Sequence, residues 1–147
     1  MTVDLVLLNA KAHLNGAIMD CCFAIEEGKI QKIGKQTHMP QADEKRDLQG
    51  QLAFPGIIDT HVHLRDQERA YKETFQTGTA SAAAGGVTTV LDMPNNAPVT
   101  MSAVALRERM AAAERRIVVD TGFYSEFPTV TAHMRAIAEE GAVGFKL

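Results

Sequence analysis

Cysteine is scarce in this sequence, tryptophan is missing, and basic charge is not in excess. The 147 residues include two cysteines and no tryptophan. The cysteines, Cys21 and Cys22, are adjacent, and no second pair is present to complete a zinc knuckle. Adjacent cysteines rarely bridge each other, so we interpret both as small buried residues of a strand. The formal charge of -3 offers no basic patch for nucleic acid or an anionic membrane.

Long hydrophobic runs and an N-terminal leader are missing as well. The apolar stretches fall far short of the roughly 20 residues that a membrane span requires. The segment 1–4 is not a basic region followed by an apolar core, so the sequence predicts no signal peptide and we expect a cytoplasmic location. With 46% hydrophobic and 22% charged residues, the composition is that of an ordinary globular protein.

Residues 1–52 lack a helical period and carry the pattern of short strands. Residues 3–8 predict one strand, and residues 22–25 and 29–33 predict a hairpin around Glu27 and Gly28. The polar segment 40–46 predicts a loop. We therefore expect residues 1–52 to form a small β unit that is part of a composite β-sandwich.

From residue 53 onward, predicted strands alternate with predicted helices. The strands are expected at 56–59, 87–92, 117–122 and 142–146, and the helices at 73–84, 102–115 and 129–140. The strand starts recur at about 30 residues, the size of one βα unit, which predicts an α/β fold with a parallel sheet. A complete (β/α)8 barrel of the TIM type needs about 250 residues, so residues 53–147 would supply its N-terminal half. We expect the chain to be truncated, or completed by another copy or a partner.

Two histidines, His61 and His63, follow the apolar run 54–59 and are separated by one residue. Residues two apart in a strand point to the same face, so both imidazoles can bind one metal ion while Val62 and Leu64 pack on the other face. Imidazole suits zinc and similar divalent cations. Because a bare His-x-His pattern is common and two histidines do not complete a site, further ligands must come from elsewhere.

Lys146 ends the last predicted strand. Strand alternation predicts that Ala142, Gly144 and Lys146 share one face, while Val143 and Phe145 face the outer helices. A lysine directed into a barrel interior is costly unless it is paired or chemically altered. Reaction of the neutral amine with carbon dioxide would give a carbamate whose two oxygens can bridge two metal ions. The spacing alone leaves open the simpler alternative that the amine reaches solvent at the strand end.

The remaining charged residues are interpreted as structural or solvated. Asp59 and Asp92 lie at predicted strand ends, where we expect them to form hydrogen bonds rather than to bind metal. The charged run 107–114 predicts a solvated helix face.

Four segments carry a resemblance to a known family. Residues 55–65, 71–74, 77–89 and the Met93-Pro94-Asn95 tripeptide are similar to the dihydroorotase, hydantoinase and allantoinase branch of the amidohydrolase superfamily. Asn95 in that tripeptide favours dihydroorotase within the branch. The resemblance implies a metal-dependent barrel hydrolase that opens dihydroorotate reversibly to N-carbamoyl aspartate in pyrimidine biosynthesis.

The resemblance also implies roles for individual residues. His61 and His63 would bind the more buried of one or two Zn²⁺ ions, and Lys146 would be the carboxylated, bridging lysine. Arg65 and Asn95 would hold the substrate carboxylate, since arginine offers a planar fork and an asparagine amide adds a neutral donor. Hydantoins lack that carboxylate, which favours dihydroorotate. The family's two further histidine ligands and its catalytic aspartate fall beyond residue 147, so no catalytic residue is assigned here.

Two departures keep alternatives open. Many dihydroorotases continue the arginine with Glu-Pro-Gly, whereas residues 66–68 are Asp-Gln-Glu, which leaves the loop shape open. The Phe145-Lys146 pair resembles hydantoinases and allantoinases too, so a cyclic amidase of that type, or a non-catalytic scaffold, is an alternative. The expected partner is a small cyclic amide rather than nucleic acid or a membrane. We expect the chain alone to be inactive, and to work as a homo-oligomer or with a C-terminal part.

Overall fold

The computed structural model describes residues 2–147, which fold as two compact units, the first ending at Pro55 and the second covering Gly56–Leu147. The first unit is a five-stranded mixed sheet in the order β3-β2-β1-β4, with β5 also paired to β1. Its strands are β1 (Thr2–Leu14), β2 (Ala17–Glu26), β3 (Lys29–Gly34), β4 (Gln41–Asp47) and β5 (Leu52–Ala53). The β1, β2 and β3 pairings are antiparallel, and β4 and β5 run parallel to β1.

The predicted hairpin is confirmed, but the predicted loop at 40–46 is wrong. Glu27 and Gly28 connect β2 to β3 with φ values of 49° and 71°. Residues 41–47 form β4, which pairs with the first half of β1. Most of the β4 side chains are exposed, so no apolar alternation marks this strand in the sequence. The backbone pairing to β1 decides its conformation, as is usual for polar edge strands.

The adjacent cysteines are buried in β2, as predicted. Cys21 is 6% exposed and Cys22 is 3% exposed, and neither forms a disulfide. Successive residues of a strand point to opposite faces of the sheet. Cys21 packs with Phe23 and Ala10 on one face of the sheet, where all three residues are buried.

The second unit is an α/β layer structure with one parallel sheet in the order β6-β7-β8-β9, which confirms the predicted fold class. Its strands are β6 (Ile57–Val62), β7 (Val87–Asp92), β8 (Asp120–Glu126) and β9 (Gly144–Lys146). Its helices are α1 (Phe75–Ala84), α2 (Ala103–Ala113) and α3 (Met134–Glu139). None of these three helices, within residues 2–147, has the length and apolar character that a bilayer crossing requires.

Side-chain caps explain where the first two helices begin. The Thr74 hydroxyl accepts a hydrogen bond from the Thr77 amide at 3.1 Å, and the Ser102 hydroxyl accepts one from the Ala105 amide at 3.1 Å. Both helices were predicted within a few residues of their observed bounds. The continuous helix predicted at 129–140 is wrong, because residues 131–133 form a separate 3₁₀ turn before α3 and neither piece has a side-chain cap.

The last two strands begin later than the sequence predicts. β8 starts at Asp120 instead of residue 117, because Ile117 and Val119 pack against the hydrophobic core before the ladder begins. The predicted facing of the residues before β9 is wrong as well. Ala142 packs against the core whereas Val143 is 47% exposed, since both precede the strand and do not follow its alternation.

The core of the second unit joins residues of the sheet to residues of all three helices. Phe75 of α1 meets Phe123 of β8 edge to face, with ring centroids 6.0 Å apart. The buried members of this cluster are Leu64, Phe75, Val90, Leu106, Ala113, Phe123 and Ile137. With the four strands parallel, their carboxyl ends lie at one edge of the sheet, where barrel enzymes carry their active sites.

Candidate active site

The carboxyl ends of the strands of the second unit enclose a pocket of about 210 Å³. It brings together three of the predicted site residues, His63, Asn95 and Lys146, with Glu126, which the sequence did not single out. The pocket is lined by His63, Met93, Pro94, Asn95, Glu126, Lys146 and Leu147. An imidazole, an amide, a carboxylate and an amine therefore meet in one small space.

The two imidazoles lie next to each other, as strand alternation predicts. The ring centroids of His61 and His63 are 5.4 Å apart and the rings are inclined by 58°. Leu64 is 3% exposed and Val62 packs against the core, which confirms their predicted opposite facing. Asp59 accepts a hydrogen bond from the His61 amide at 3.0 Å, which is the kind of role that the sequence predicts for it.

A hydrogen bond to Asn95 sets the orientation and the tautomer of His63. Nδ1 of His63 lies 2.8 Å from Oδ1 of Asn95, and Nη1 of Arg65 lies 3.5 Å from the same oxygen. An amide oxygen only accepts, so Nδ1 of His63 is the donor, and in the neutral ring Nε2 then carries the lone pair. A histidine held in this way by a neighbouring acceptor is pre-oriented as a metal ligand.

Glu126 and Lys146 are direct neighbours across the sheet. The parallel register of β8 and β9 pairs Glu126 with Lys146. The sequence analysis did not single out Glu126 because the predicted strand ends at residue 122. If that strand is extended, alternation places Gly122, Tyr124 and Glu126 on one face.

The donor set fits part of a divalent metal site. His61 and His63 supply two adjacent imidazoles, and Lys146 lies in the same pocket as His63. Within residues 2–147, no group of three or more histidine, cysteine, aspartate or glutamate side chains is arranged to hold an ion. Two neutral nitrogens suit zinc but leave its coordination incomplete, so further ligands are required.

The segment after His63 has an unusual backbone. Arg65, Asp66 and Gln67 have φ values of 53°, 46° and 49°, the left-handed region that residues other than glycine rarely adopt. This is the place where the sequence departs from Glu-Pro-Gly. Asp66 is 1% exposed, accepts from the Phe75 amide at 2.7 Å, and forms an ion pair with Arg116 at 2.8 Å.

Arg109 of α2 is buried against this segment and forms hydrogen bonds with several of its neighbours. Its Nη2 donates to Oδ2 of Asp92 at 2.6 Å, and its Nη1 donates to the Arg65 carbonyl at 2.7 Å and to Oε1 of Gln67 at 2.9 Å. The guanidinium also stacks over the Phe75 ring, 4.3 Å from its centroid. The prediction that residues 107–114 form a solvated face is therefore wrong for Arg109, which is 1% exposed.

Asp92 joins the strand end to this network. Its Oδ1 accepts from the Leu64 amide at 2.8 Å, next to the histidine pair, which fits its predicted hydrogen-bonding role. Burial raises the pKa of Asp92 above its ordinary value, although Arg109 and the Leu64 amide act in the opposite direction. The carboxylate thus depends on Arg109 for its charge to be tolerated.

Comparisons with known proteins agree with this architecture. A dihydroorotase of Methanothermobacter thermautotrophicus is 43% identical over 107 residues, covering 73% of this chain and 24% of that protein. An allantoinase of Bacillus velezensis is 37% identical over 152 residues, covering 99% of this chain and 32% of that protein. The solved L-hydantoinase of Arthrobacter aurescens superposes with a TM-score of 0.88 at 29% identity, covering 97% of this chain and 32% of that one.

The chain thus spans about a quarter to a third of the length of the relatives it matches. The model of the Amidohydrolase family matches residues 52–145, which include the histidine pair, the left-handed segment and nearly the whole parallel sheet. Over most of its length, and over the part that builds the pocket, the chain belongs to the amidohydrolase family.

Proposed function

We propose that this chain supplies the first part of a metal-dependent cyclic amidase that opens dihydroorotate reversibly to N-carbamoyl aspartate, a step of pyrimidine biosynthesis. Residues 1–52 would belong to a composite β-sandwich and residues 53–147 would form the N-terminal half of the barrel. The protein would work as a homo-oligomer or with a C-terminal part. The dihydroorotase, allantoinase and hydantoinase relatives support a cyclic amide as the substrate class.

One observation carries the choice of a carboxylate-bearing substrate. Oδ1 of Asn95 lies 2.8 Å from Nδ1 of His63 and 3.5 Å from Nη1 of Arg65, so one amide links the imidazole to the guanidinium. A carboxylate held by the Arg65 fork would therefore lie beside the His63 ring. Since Oδ1 of Asn95 is occupied by His63, its Nδ2 is the group that can donate to the same carboxylate.

The histidine pair and Lys146 would hold the cofactor. His61, His63 and a carboxylated Lys146 would bind one or two divalent ions, Zn²⁺ by the chemistry of the imidazole donors. When bound, such an ion supplies an activated water and polarises the amide carbonyl. The chain's own contribution is to orient: Arg65 and Asn95 would fix the ring, and the hydrogen bond to Asn95 holds the His63 imidazole in place.

An allantoinase or hydantoinase activity is the second candidate. The allantoinase of Bacillus velezensis aligns over 99% of the chain, a larger share than the 73% covered by the dihydroorotase of Methanothermobacter thermautotrophicus. Glu126 adds a carboxylate to the pocket, which would accept hydrogen bonds from a neutral cyclic ureide. Both activities would need the same metal ligands. The two candidates therefore differ in whether the substrate carries a carboxylate that Arg65 and Asn95 can bind.

The experiment compares hydrolysis of dihydroorotate, hydantoin and allantoin by the complete protein, with zinc content measured by elemental analysis. We expect dihydroorotate to be preferred, and Arg65→Ala to raise its KM by about tenfold or more because a charge-assisted, bidentate contact is lost. The matched control is Arg115→Ala, an exposed arginine after α2, which should leave KM unchanged.

Three outcomes would decide against this proposal. An unchanged kcat/KM for Arg65→Ala would remove its assigned role. Turnover of allantoin or hydantoin alone would favour the second candidate. A complete protein with neither zinc nor turnover would be a non-catalytic relative that has kept the fold.

A further inference from the structure

We infer that Arg109 is a positioning residue for substrate binding, because it holds the Arg65 carbonyl and the Gln67 side chain and thereby directs the Arg65 side chain to Asn95, which lines the pocket. The inference rests on the proposed function, in which Arg65 holds the substrate carboxylate. Arg109 itself does not line the pocket.

The segment that carries Arg65 needs external support. Three consecutive residues without glycine occupy the left-handed region, with φ of 53°, 46° and 49°. Side chains with a Cβ avoid this region, and such conformations persist only where the surrounding structure holds them. Without that support, residues 65–67 would relax to ordinary backbone angles and the Arg65 guanidinium would move.

One guanidinium holds both ends of the segment. Nη1 of Arg109 donates to the carbonyl of Arg65 at 2.7 Å and to the side-chain oxygen of Gln67 at 2.9 Å. The middle residue, Asp66, is tied separately to the start of α1, where it accepts from the Phe75 amide at 2.7 Å. Arg109 therefore determines where the Arg65 backbone lies, while Asp66 anchors the segment to the neighbouring helix.

Arg109 is itself immobilised. Its Nε and Nη2 donate to Asp92 at 3.1 Å and 2.6 Å, and its plane lies over the Phe75 ring. Asp92 ends β7 and also accepts from the Leu64 amide. These contacts link the sheet to Arg65 through Arg109. They require an arginine, because a planar guanidinium offers three donor groups in fixed positions.

The test uses the complete protein and a variant pair that leaves no unpaired buried charge. Asp92→Asn with Arg109→Met removes both charges and the donors to Arg65 and Gln67. We expect the KM for dihydroorotate to rise by about tenfold with little change in kcat, because binding geometry is lost before chemistry. The matched control is Arg107→Met on the same helix, whose guanidinium pairs with Glu140 at the surface; its KM should not change.

A double-mutant cycle and hydrogen exchange complete the test. In an Arg65→Ala background, the Asp92→Asn/Arg109→Met pair should raise KM no further, since its effect passes through Arg65. The amides of residues 64–75 should exchange about tenfold faster in the variant pair than in Arg107→Met. Arg109→Lys keeps the positive charge but cannot reach Asp92 and the Arg65 carbonyl together, so it should show the same faster exchange in a folded protein.

Independent KM effects in the cycle, or unchanged exchange in both Arg109 variants, would overturn the inference. Hydrogen exchange needs no turnover, so it tests the positioning even if dihydroorotate proves not to be the substrate. Unchanged exchange in an enzyme that hydrolyses dihydroorotate would sink the inference alone and leave the proposed function standing.

Discussion

Replacing Arg109 alone by methionine should lower the free energy of unfolding by about 3–5 kcal/mol, because Asp92 would be left as an unpaired buried charge. The side chains of Arg109 and Asp92 are 1% and 2% exposed, so water cannot replace the lost partner. The stacking of the guanidinium on Phe75 would be exchanged for an apolar contact of similar size. The loss therefore comes mainly from the carboxylate.

The paired replacement separates the cost of the unpaired buried charge from the cost of the lost hydrogen-bond donors. Asp92→Asn with Arg109→Met removes both charges, and the asparagine oxygen can still accept from the Leu64 amide. The hydrogen bonds of Arg109 to Asp92 and its contact with the Asn96 side chain are lost with the charges, and the two hydrogen bonds to Arg65 and Gln67 are lost as well, worth roughly 1 kcal/mol each. We expect a total loss of about 1–3 kcal/mol, less than for Arg109→Met alone.

The pH dependence of Arg109→Met has a definite sign. Burial already raises the pKa of Asp92, and removing Arg109 takes away the largest influence that lowers it. A carboxyl group whose pKa is higher in the folded state binds its proton more tightly there, so stability falls as pH rises between the unfolded and folded pKa values. In the wild type the same loss ends at the lower folded pKa of Asp92, so the gap between wild type and Arg109→Met should widen as pH rises above that value and narrow as pH falls back toward it.

Urea titrations followed by far-UV circular dichroism on the complete protein would measure these differences. The control, Arg107→Met, breaks an ion pair whose side chains are 64% and 22% exposed, and should cost at most about 1 kcal/mol. Equal losses in Arg107→Met and Arg109→Met would refute the reasoning. So would a gap that grows toward acid pH.

The sequence predicts the layout of the second unit because its signals are local. Alternating strand and helix patterns suffice to place the elements, and Thr74 and Ser102 are found to cap the first two helices close to their predicted starts. The alternation that puts His61 and His63 on one face is likewise a property of a single strand. These features need no knowledge of what packs against them.

Sequence patterns do not predict which charged side chains are buried. Arg109 lies in a run of charged residues that resembles a solvated helix face, and only Asp92, from another element, makes its burial favourable. The polar strand β4 was missed for a related reason, since its conformation comes from pairing with β1 and not from its own side chains. Both depend on partners distant in the chain.

The left-handed segment shows the same limit at the site itself. Glycine is the usual sequence sign of a positive φ, and residues 65–67 contain none. Their conformation is imposed by contacts with α1 and α2, which no local pattern reveals. The resemblance named Arg65 as a substrate ligand, but only the three-dimensional contacts indicate how its position is maintained.

Two further substitutions test the barrel interior and the pocket. Gly122→Ala would place a Cβ 2.7 Å from side chains on both neighbouring segments, Leu91 and Val143, so it should cost about 1–3 kcal/mol in a urea titration. Glu126→Gln should weaken zinc binding to the complete protein roughly three- to tenfold, because it removes a negative charge beside Lys146 in the pocket that holds His63. Calorimetric titration measures this, with Glu139→Gln, at an exposed position on α3, as control. Equal zinc affinity in the two variants would mean that the Glu126 carboxylate at the end of β8 does not affect zinc binding. Its role in the pocket would then be limited to contacts with the substrate.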